Sequence, residues 1–183
     1  EYAKYNNVEY CIGVGSGLDA LSFLLLAADI KKGDEIIVPS HTFIATWLSV
    51  TNIGAIPIPI EPDQKSFNIN PKLIKEKITN KTRAILICNP SNPTGYLCTE
   101  IEINALLDLA VEKDIFIIVD EVYREFIYTN SSHYSVLQNK KGSQHAIMID
   151  SVSKRYSLCG ARVGCMISKN KRFMSTALKF AHL

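Results

Sequence analysis

The fold is decided by residues 116–123, which read FIIVDEVY. The first four of these residues form a short apolar run rich in β-branched side chains, which is typical of a strand buried on both faces in a parallel sheet. Asp120 follows directly and therefore lies at the carboxyl end of that strand. Because ligands of open α/β sheets bind in the crevice beyond those strand ends, a carboxylate here favours a functional role. The alternative is that Asp120 caps the next segment or pairs with a surface lysine.

A second strand and its turn lie upstream. Residues 84–87 read AILI and are followed by residues 88–95, which read CNPSNPTG. Two prolines and one glycine impose a defined turn geometry, since proline fixes φ and glycine adopts conformations that other residues avoid. Such a turn can hold the side chain of Asn92 rigidly. An ordinary strand-to-helix loop would also tolerate proline and glycine, but the repeated Asn-Pro pair followed by Thr-Gly favours a specific turn.

A candidate reactive lysine ends residues 151–154, which read SVSK. A lysine forms a Schiff base only through its neutral amine, so its site must lower the amine pKa by desolvation or by a neighbouring cation. Arg162 supplies a cation eight residues after Lys154. The hydroxyls of Ser151 and Ser153, together with this guanidinium, also suit a phosphate dianion. The alternative is an ordinary basic surface loop.

A flexible turn at residues 15–17, GSG, precedes an apolar pattern of helical spacing that begins at Leu18. The backbone N–H groups of Ser16, Gly17 and Leu18 would then open a helix N-terminus towards a phosphate. Leu18 can contribute only its backbone to such a cradle. The alternative is an N-cap before a core helix, which needs no ligand.

Strand and helix signals alternate along the chain. Pro71 opens a helix after the cap residue Asn70, and Thr99 with Glu102 forms a capping box. Residues 130–142 are predicted to be a polar loop. The remaining signals predict helices at 17–28, 43–53 and 103–111 and strands at 35–39 and 55–60. This alternation predicts an α/β fold with a mainly parallel sheet and helices on both faces.

Length and charge limit the possible functions. The chain has 183 residues, of which 47% are hydrophobic, and this is enough for one sizeable α/β core but not for two full domains. A net charge of +2 without any basic run argues against a nucleic-acid surface. No apolar stretch reaches the length of a membrane span, and no signal peptide is visible.

The cysteines and histidines show no ligand pattern. The five cysteines are an odd number without a Cys-x-x-Cys pair, which favours a reduced, cytoplasmic setting over a disulfide framework. The four histidines have no metal-ligand spacing, so no metal site is predicted.

Together these motifs resemble the pyridoxal-phosphate-dependent aminotransferases of class I and II, the aspartate aminotransferase-like enzymes of fold type I. The matching pieces are NPSNPTG at 89–95, DEVY at 120–123, and SVSK at 151–154 with Arg162. The first third of the chain, through GSGLDAL at 15–21 and VPSHTFIAT at 38–46, also resembles the DegT-type sugar-nucleotide aminotransferases. The two groups share the cofactor and the fold.

The resemblance also carries expectations about architecture. It implies a three-layer αβα domain with one antiparallel strand, at residues 163–167. It implies that residues 1–183 form the cofactor-binding large domain, without the N-terminal segment and the C-terminal small domain of longer relatives. In those relatives an arginine of the small domain binds the substrate carboxylate, and the full-length proteins are homodimers.

The resemblance implies pyridoxal 5'-phosphate as the cofactor and a role for each site residue. Lys154 carries the internal aldimine and later acts as general base, while Asp120 stabilises the protonated ring nitrogen. Tyr123, the third predicted catalytic residue, and Asn92 hydrogen-bond the ring oxygen, and Phe43 stacks on the ring. The phosphate is held by Ser16, Gly17, Leu18, Ser151, Ser153 and Arg162.

The predicted reaction is transfer of an amino group from an amino acid to a 2-oxo acid. A sugar-nucleotide aminotransferase, or a lyase or decarboxylase on the same scaffold, is an alternative because the cofactor permits several bond cleavages. A cofactor-binding fragment without turnover is a further alternative. The predicted partners are therefore small molecules, with neither nucleic acid nor membrane.

Overall fold

The computed structural model describes residues 1–182, except for the side chains of Pro71 and Lys72. Its centre is one sheet, whose strands are β1 (Cys11–Val14), β2 (Glu35–Pro39), β3 (Ile56–Ile60), β4 (Thr82–Cys88), β5 (Phe116–Asp120), β6 (Ala146–Ser151) and β7 (Gly164–Ser168). The spatial order is β1-β7-β6-β5-β4-β2-β3. Strand β7 is antiparallel to both β1 and β6, whereas the other neighbouring pairs are parallel. The predicted α/β class with a mainly parallel sheet is confirmed.

The antiparallel strand begins one residue later than predicted, at Gly164 instead of Val163. Arg162 has a left-handed φ of 51°, a conformation that a β-strand does not continue through. Val163 therefore follows a turn, and its carbonyl accepts a hydrogen bond from the Val152 N–H at 3.2 Å.

The helices lie close to their predicted positions. Thr99 Oγ1 accepts from the Glu102 N–H at 3.2 Å and Glu102 Oε2 accepts from the Thr99 N–H at 2.7 Å, so the capping box is confirmed. The α-helices are α1 (Tyr2–Tyr5), α2 (Gly17–Ala27), α3 (Ile44–Asn52), α4 (Pro71–Lys77), α5 (Glu100–Lys113), α6 (Val152–Arg155) and α7 (Lys171–Ala181). Within residues 1–182, no helix combines the length and apolar character that a membrane span requires.

Helices cover both faces of the sheet, and a separate hydrophobic core fills each side. Alternation along β4 shows the division, since successive strand residues point to opposite faces. Ala84 and Leu86 belong to the core that contains Leu24 of α2, whereas Ile85 and Ile87 belong to the core that contains Leu107 of α5. Leu24 and Leu107 are both fully buried, so truncating either to alanine would cost about 2–5 kcal/mol.

The segment 130–142 is more ordered than the predicted polar loop. It contains a 3₁₀ turn at Val136–Gln138, and both Val136 and Leu137 are buried. Ser135 caps the turn, because its Oγ accepts from the Leu137 N–H at 3.3 Å. Two apolar residues in a polar segment are too few to form a periodic pattern, so their burial could not be predicted from the sequence.

Candidate active site

A cavity of about 430 Å³ opens at the carboxyl ends of the central strands. The parallel arrangement of β4, β5 and β6 brings these ends to the same edge of the sheet, and the N-terminus of α2 faces them. All eleven residues predicted from the motifs line this cavity: Ser16, Gly17, Leu18, Phe43, Asn92, Asp120, Tyr123, Ser151, Ser153, Lys154 and Arg162. Residues far apart in the sequence therefore meet at one site.

The N-terminus of α2 forms one wall. Ser16 is the N-cap in an extended conformation, and its Oγ accepts from the Asp19 N–H at 3.0 Å. The capping role considered from the sequence is therefore present. Capping leaves the first backbone N–H groups of the helix directed at the cavity, where they and the helix dipole favour an anion. The cap and the anion cradle are thus compatible.

Gly164 allows β7 to approach this helix end. A Cβ atom at Gly164 would lie 2.5 Å from the carbonyl carbon of Ser16 and 2.9 Å from the backbone nitrogen of Gly17. Both distances are far below van der Waals contact, and backbone atoms cannot swing aside. A residue without a side chain is therefore required where β7 passes the α2 N-terminus.

Asp120 ends β5 and is half-buried where it meets the cavity. Its Oδ1 accepts from the Val122 N–H at 3.1 Å. Desolvation raises the pKa of this carboxyl to about 7, and the nearby Asp150 charge also raises it, whereas the Val122 hydrogen bond and the Lys154 charge lower it. A cation placed against Asp120 would therefore restore its ionised form.

Lys154 lies in the short helix α6, directly after β6. The N-cap of this helix is Ser151, whose Oγ accepts from the Ser153 N–H at 3.2 Å. This cap fixes the start of α6 at the strand end, and the exposed Lys154 side chain reaches the cavity. The charge of Lys154 is close enough to Asp120 to lower the pKa of that carboxyl. The lysine amine and the aspartate carboxyl therefore face the same cavity.

Asn92 and Tyr123 face the cavity as a pair. Asn92 Nδ2 donates to the Tyr123 hydroxyl at 3.2 Å. The turn that carries Asn92 is closed internally, because Asn89 Oδ1 accepts from the Cys98 N–H at 2.9 Å and the Ser91 N–H donates to the Tyr96 carbonyl at 2.8 Å. The two prolines and the glycine are therefore part of a defined turn, as the sequence predicts.

Arg162 and Phe43 also line the cavity. Arg162 Nη1 donates to the Cys159 carbonyl at 2.9 Å, and the guanidinium remains exposed. Phe43 is the N-cap residue of α3 and keeps 57% of its surface exposed. An aromatic ring held at the rim of a cavity, instead of in a core, is available to contact a planar ligand.

A polar cluster behind the site was not predicted. Glu121 is fully buried next to Asp120, and its Oε1 accepts from Ser135 Oγ at 3.0 Å and from the Val136 N–H at 2.9 Å. Its Oε2 lies 3.8 Å from His133 Nε2 and 4.0 Å from Arg124 Nη1. Burial raises the pKa of Glu121 to about 7. The sequence could have indicated this cluster through the position of Glu121 at the end of an apolar strand, because a carboxylate that is buried there needs hydrogen-bond partners.

His133 connects this cluster to the turn that carries Asn92. Its Nε2 lies 3.3 Å from the Asn89 carbonyl. Burial, and then the Arg124 charge, lower the pKa of His133 to about 4, so the imidazole is neutral near pH 7 and donates through Nε2. No sequence motif indicated this residue. Other cavity-lining residues that the sequence reasoning did not select are Asp19, Leu21, Thr42, Ala45, Thr46, Cys88, Val122, Ile149 and Cys159.

Comparison with known proteins identifies the family. Residues 1–183 match the family described as aminotransferase class I and II. The chain belongs to this family. Membership supports the predicted fold and pyridoxal phosphate as the cofactor.

Two kinds of transaminase are among the relatives of this chain. Aspartate aminotransferase from Bacillus subtilis is 33% identical over 169 residues, which cover 90% of this chain and 43% of that protein. The dTDP-3-amino-3,6-dideoxy-alpha-D-galactopyranose transaminase of Aneurinibacillus thermoaerophilus is 49% identical over 87 residues, or 48% of this chain and 24% of that protein. The chain thus spans less than half the length of these relatives.

The fold likeness is close. The crystal structure of an aspartate aminotransferase from Thermotoga maritima superposes with a TM-score of 0.88 and 26% identity, covering 99% of this chain and 49% of that structure.

Within residues 1–182, no group of three or more potential metal-binding side chains is present.

Proposed function

We propose that this chain binds pyridoxal 5'-phosphate in the cavity beyond β4, β5 and β6, and that it takes part in transferring an amino group from an amino acid to a 2-oxo acid. The observation that carries the proposal is the convergence of Lys154 and Asp120 on one cavity. A reactive amine and a half-buried carboxylic acid in one cavity suit a cofactor that has an aldehyde and a basic ring nitrogen.

The residues present fit this cofactor at both ends. At the phosphate end, the α2 N-terminus, the Ser151 hydroxyl and the Arg162 guanidinium supply donors and positive charge to a dianion. Gly164 lets β7 pack directly against the backbone at the α2 N-terminus and so holds that helix end in place. At the ring end, Asp120 has a pKa raised to about 7 by desolvation, and a ring cation would compensate that desolvation.

The bound cofactor supplies an electron-withdrawing ring that stabilises negative charge at the substrate α-carbon. Asp120 would accept a charge-assisted hydrogen bond from the ring N–H and so keep the ring cationic. Asn92 and Tyr123 would donate to the ring oxygen. Phe43 would cover one face of the ring and exclude water from it.

Lys154 is the residue that would move the proton. With the cofactor bound, its neutral Nζ would take a proton from the substrate α-carbon and hold it for return on the cofactor side. The short helix α6 starts at the end of β6, and the lysine side chain lines the cavity. Ser153, one residue earlier in α6, also lines the cavity and would hydrogen-bond the phosphate.

An amino acid is the favoured donor because the similarity to aspartate aminotransferases covers 90% of this chain. A sugar nucleotide as acceptor is the second candidate, favoured by the 49% identity over 87 residues to a transaminase of a dTDP-aminosugar. A homodimer and a cytoplasmic location are part of the proposal. The five free cysteines support a reducing compartment.

The test incubates the full chain and pyridoxal 5'-phosphate with aspartate and 2-oxoglutarate, and measures oxaloacetate and glutamate. In parallel, glutamate is offered with a dTDP-3-keto-6-deoxyhexose. Formation of both products in the first mixture supports the amino-acid transaminase, and turnover only in the second supports the sugar enzyme. Release of carbon dioxide or ammonia would indicate a decarboxylase or lyase. Cofactor absorbance without turnover would indicate a binding fragment, and sedimentation tests the dimer.

Arg162→Ala tests the phosphate assignment separately. The variant should bind pyridoxal 5'-phosphate at least about 10-fold more weakly, because one charge-assisted contact is lost, while its affinity for pyridoxal, which lacks the phosphate, stays the same. Arg172→Ala is the matched control, since Arg172 is exposed on α7. Equal losses for both ligands would contradict the role of Arg162.

A further inference from the structure

Two cysteines outside the cofactor cavity lie side by side on neighbouring strands. In the antiparallel pair of β1 and β7, Cys11 is opposite Ile167 and Gly13 is opposite Cys165. The two cysteines are therefore diagonal neighbours, and the alternation of side chains places both on the same face of the sheet. Both pack against the core on that face.

The two thiols also share a cavity of about 300 Å³. Its other lining residues include Tyr2, Asp150 and Arg155, and it is distinct from the cofactor cavity apart from Ser151. Cys11 and Cys165 are each half-buried. A small reagent that enters this cavity can therefore reach both thiols, whose backbones are held diagonally across two paired strands.

The two thiols differ in acidity. A hydrogen bond from the Cys165 thiol lowers the pKa of Cys11, whereas the same contact and burial raise the pKa of Cys165. The thiolate is the nucleophile in disulfide exchange, so Cys11 is the residue that attacks first.

We propose that Cys11 and Cys165 are a redox-active pair that forms a reversible disulfide between β1 and β7 in the presence of a small-molecule disulfide such as oxidised glutathione. The Cys11 thiolate attacks one sulfur of the glutathione disulfide, forms a mixed disulfide and releases one glutathione thiolate. Cys165 then loses its proton and attacks the Cys11 sulfur, which releases the second glutathione. Two protein thiols are oxidised and one glutathione disulfide is reduced to two thiols.

The remaining cysteines provide internal comparisons. Cys88 and Cys98 are buried, and burial raises the pKa of both thiols, so they should not react. Cys159 is exposed, and its thiol donates to the Ser153 carbonyl at 3.2 Å. It can therefore form a mixed disulfide with glutathione, without a partner thiol from the same sheet to resolve it.

The sequence makes the pair easy to follow by mass spectrometry. Trypsin cleaves after lysine and arginine, so Cys11 falls in peptide 5–31, Cys165 in peptide 163–169 and Cys159 in peptide 156–162. The full chain is treated with oxidised glutathione, free thiols are blocked with iodoacetamide, and the digest is analysed without reduction. The expected result is loss of alkylated peptides 5–31 and 163–169 and the appearance of one linked species, which dithiothreitol separates again.

Cys165→Ser is the matched control. In this variant Cys11 should remain as a glutathione adduct, because no thiol is left to displace the glutathione. The proposal is overturned if the native chain gives only glutathione adducts, at Cys159 or Cys11, while peptide 163–169 stays fully alkylated. Because the readout is a covalent link, the result does not depend on catalytic activity or on cofactor binding.

Discussion

Asn92 Nδ2 donates a hydrogen bond of 3.2 Å to the hydroxyl of Tyr123, although 31 positions separate the two residues in the chain. The contact joins the turn after β4 to the segment after β5. Burial is the main cause that raises the pKa of Tyr123, while the Asn92 hydrogen bond lowers it. The phenol therefore stays protonated near pH 7 and can act as a donor.

Tyr123→Phe removes that donor. The ring oxygen of the cofactor then keeps more negative charge and holds the neighbouring proton more tightly, so the pKa of the cofactor's visible absorbance should rise by about one unit. A spectrophotometric pH titration measures it. Tyr128→Phe is the control, because Tyr128 is 90% exposed and does not line the cofactor cavity. An unchanged titration in Tyr123→Phe would contradict the assigned contact.

Lys154→Ala should abolish the visible absorbance of the bound cofactor and reduce turnover by at least about 100-fold, since the proton-transfer group is removed. Borohydride treatment followed by mass spectrometry should find no cofactor attached to the variant. Lys140→Ala, at an exposed position outside the cavity, should behave as the native chain does. Attachment at another lysine in Lys154→Ala would refute the assignment.

Asp120→Asn should retain the cofactor but reduce the rate of proton transfer by about 100-fold or more, because a neutral amide cannot stabilise a ring cation. Stopped-flow absorbance after addition of an amino acid measures this rate. Asp108→Asn, on the exposed side of α5, is the matched substitution and should have no effect. A rate in Asp120→Asn within about 3-fold of the native value would be incompatible with the proposed role.

Gly164→Ala should destabilise the protein by about 1–3 kcal/mol, because the added Cβ meets the backbone of Ser16. Cofactor affinity should fall as well, since the α2 N-terminus must move. Gly13→Ala tests the same change on the neighbouring strand, where a Cβ meets no atom within 4 Å. Denaturant unfolding and cofactor titration should separate the two variants, and equal stabilities would rule out the close approach.

Glu121→Gln should flatten the dependence of stability on pH. The folded state raises the pKa of Glu121 from 4.5 to about 7, so it binds more protons than the unfolded state between these values. The free energy of unfolding then falls as pH rises through this window, by up to about 3 kcal/mol. Glutamine does not titrate, and its carbonyl can still accept from Ser135.

The check on Glu121→Gln is urea unfolding without cofactor at pH 5 and pH 8. Asp120 has a pKa raised in the same direction, so part of the pH dependence should remain. Glu76→Gln, at an exposed position on α4, should keep the full dependence. A Glu121→Gln variant that loses as much stability as the native chain between the two pH values would disprove the buried, raised-pKa carboxyl.

The sequence was sufficient for the fold class and for the convergence of the motifs. Apolar β-branched runs such as 84–87 and 116–119 predict buried parallel strands, and the topology of such sheets brings residues like Asp120 and Asn92 to one edge. The capping box at Thr99 could be predicted from the sequence because both of its hydrogen bonds join residues three positions apart.

Contacts between residues far apart in the sequence could not be predicted in the same way. The contacts of Glu121 with Ser135 and His133 depend on how the segment 130–142 folds back, and no period in that segment shows it. The proximity of Cys11 and Cys165 depends on the register of β1 against β7. A single sequence sets the pattern of each strand but does not indicate which residues of two strands lie opposite each other.

Ser151 and Gly164 lie opposite each other on β6 and β7. Residues 152–163 therefore form a connection whose two ends are neighbours in the sheet. Slippage of β7 by one position would place the side chain of Val163 or Cys165 where only a hydrogen atom fits against Ser16. Steric exclusion at the Gly164 α-carbon thus fixes the register in which β7 rejoins the sheet.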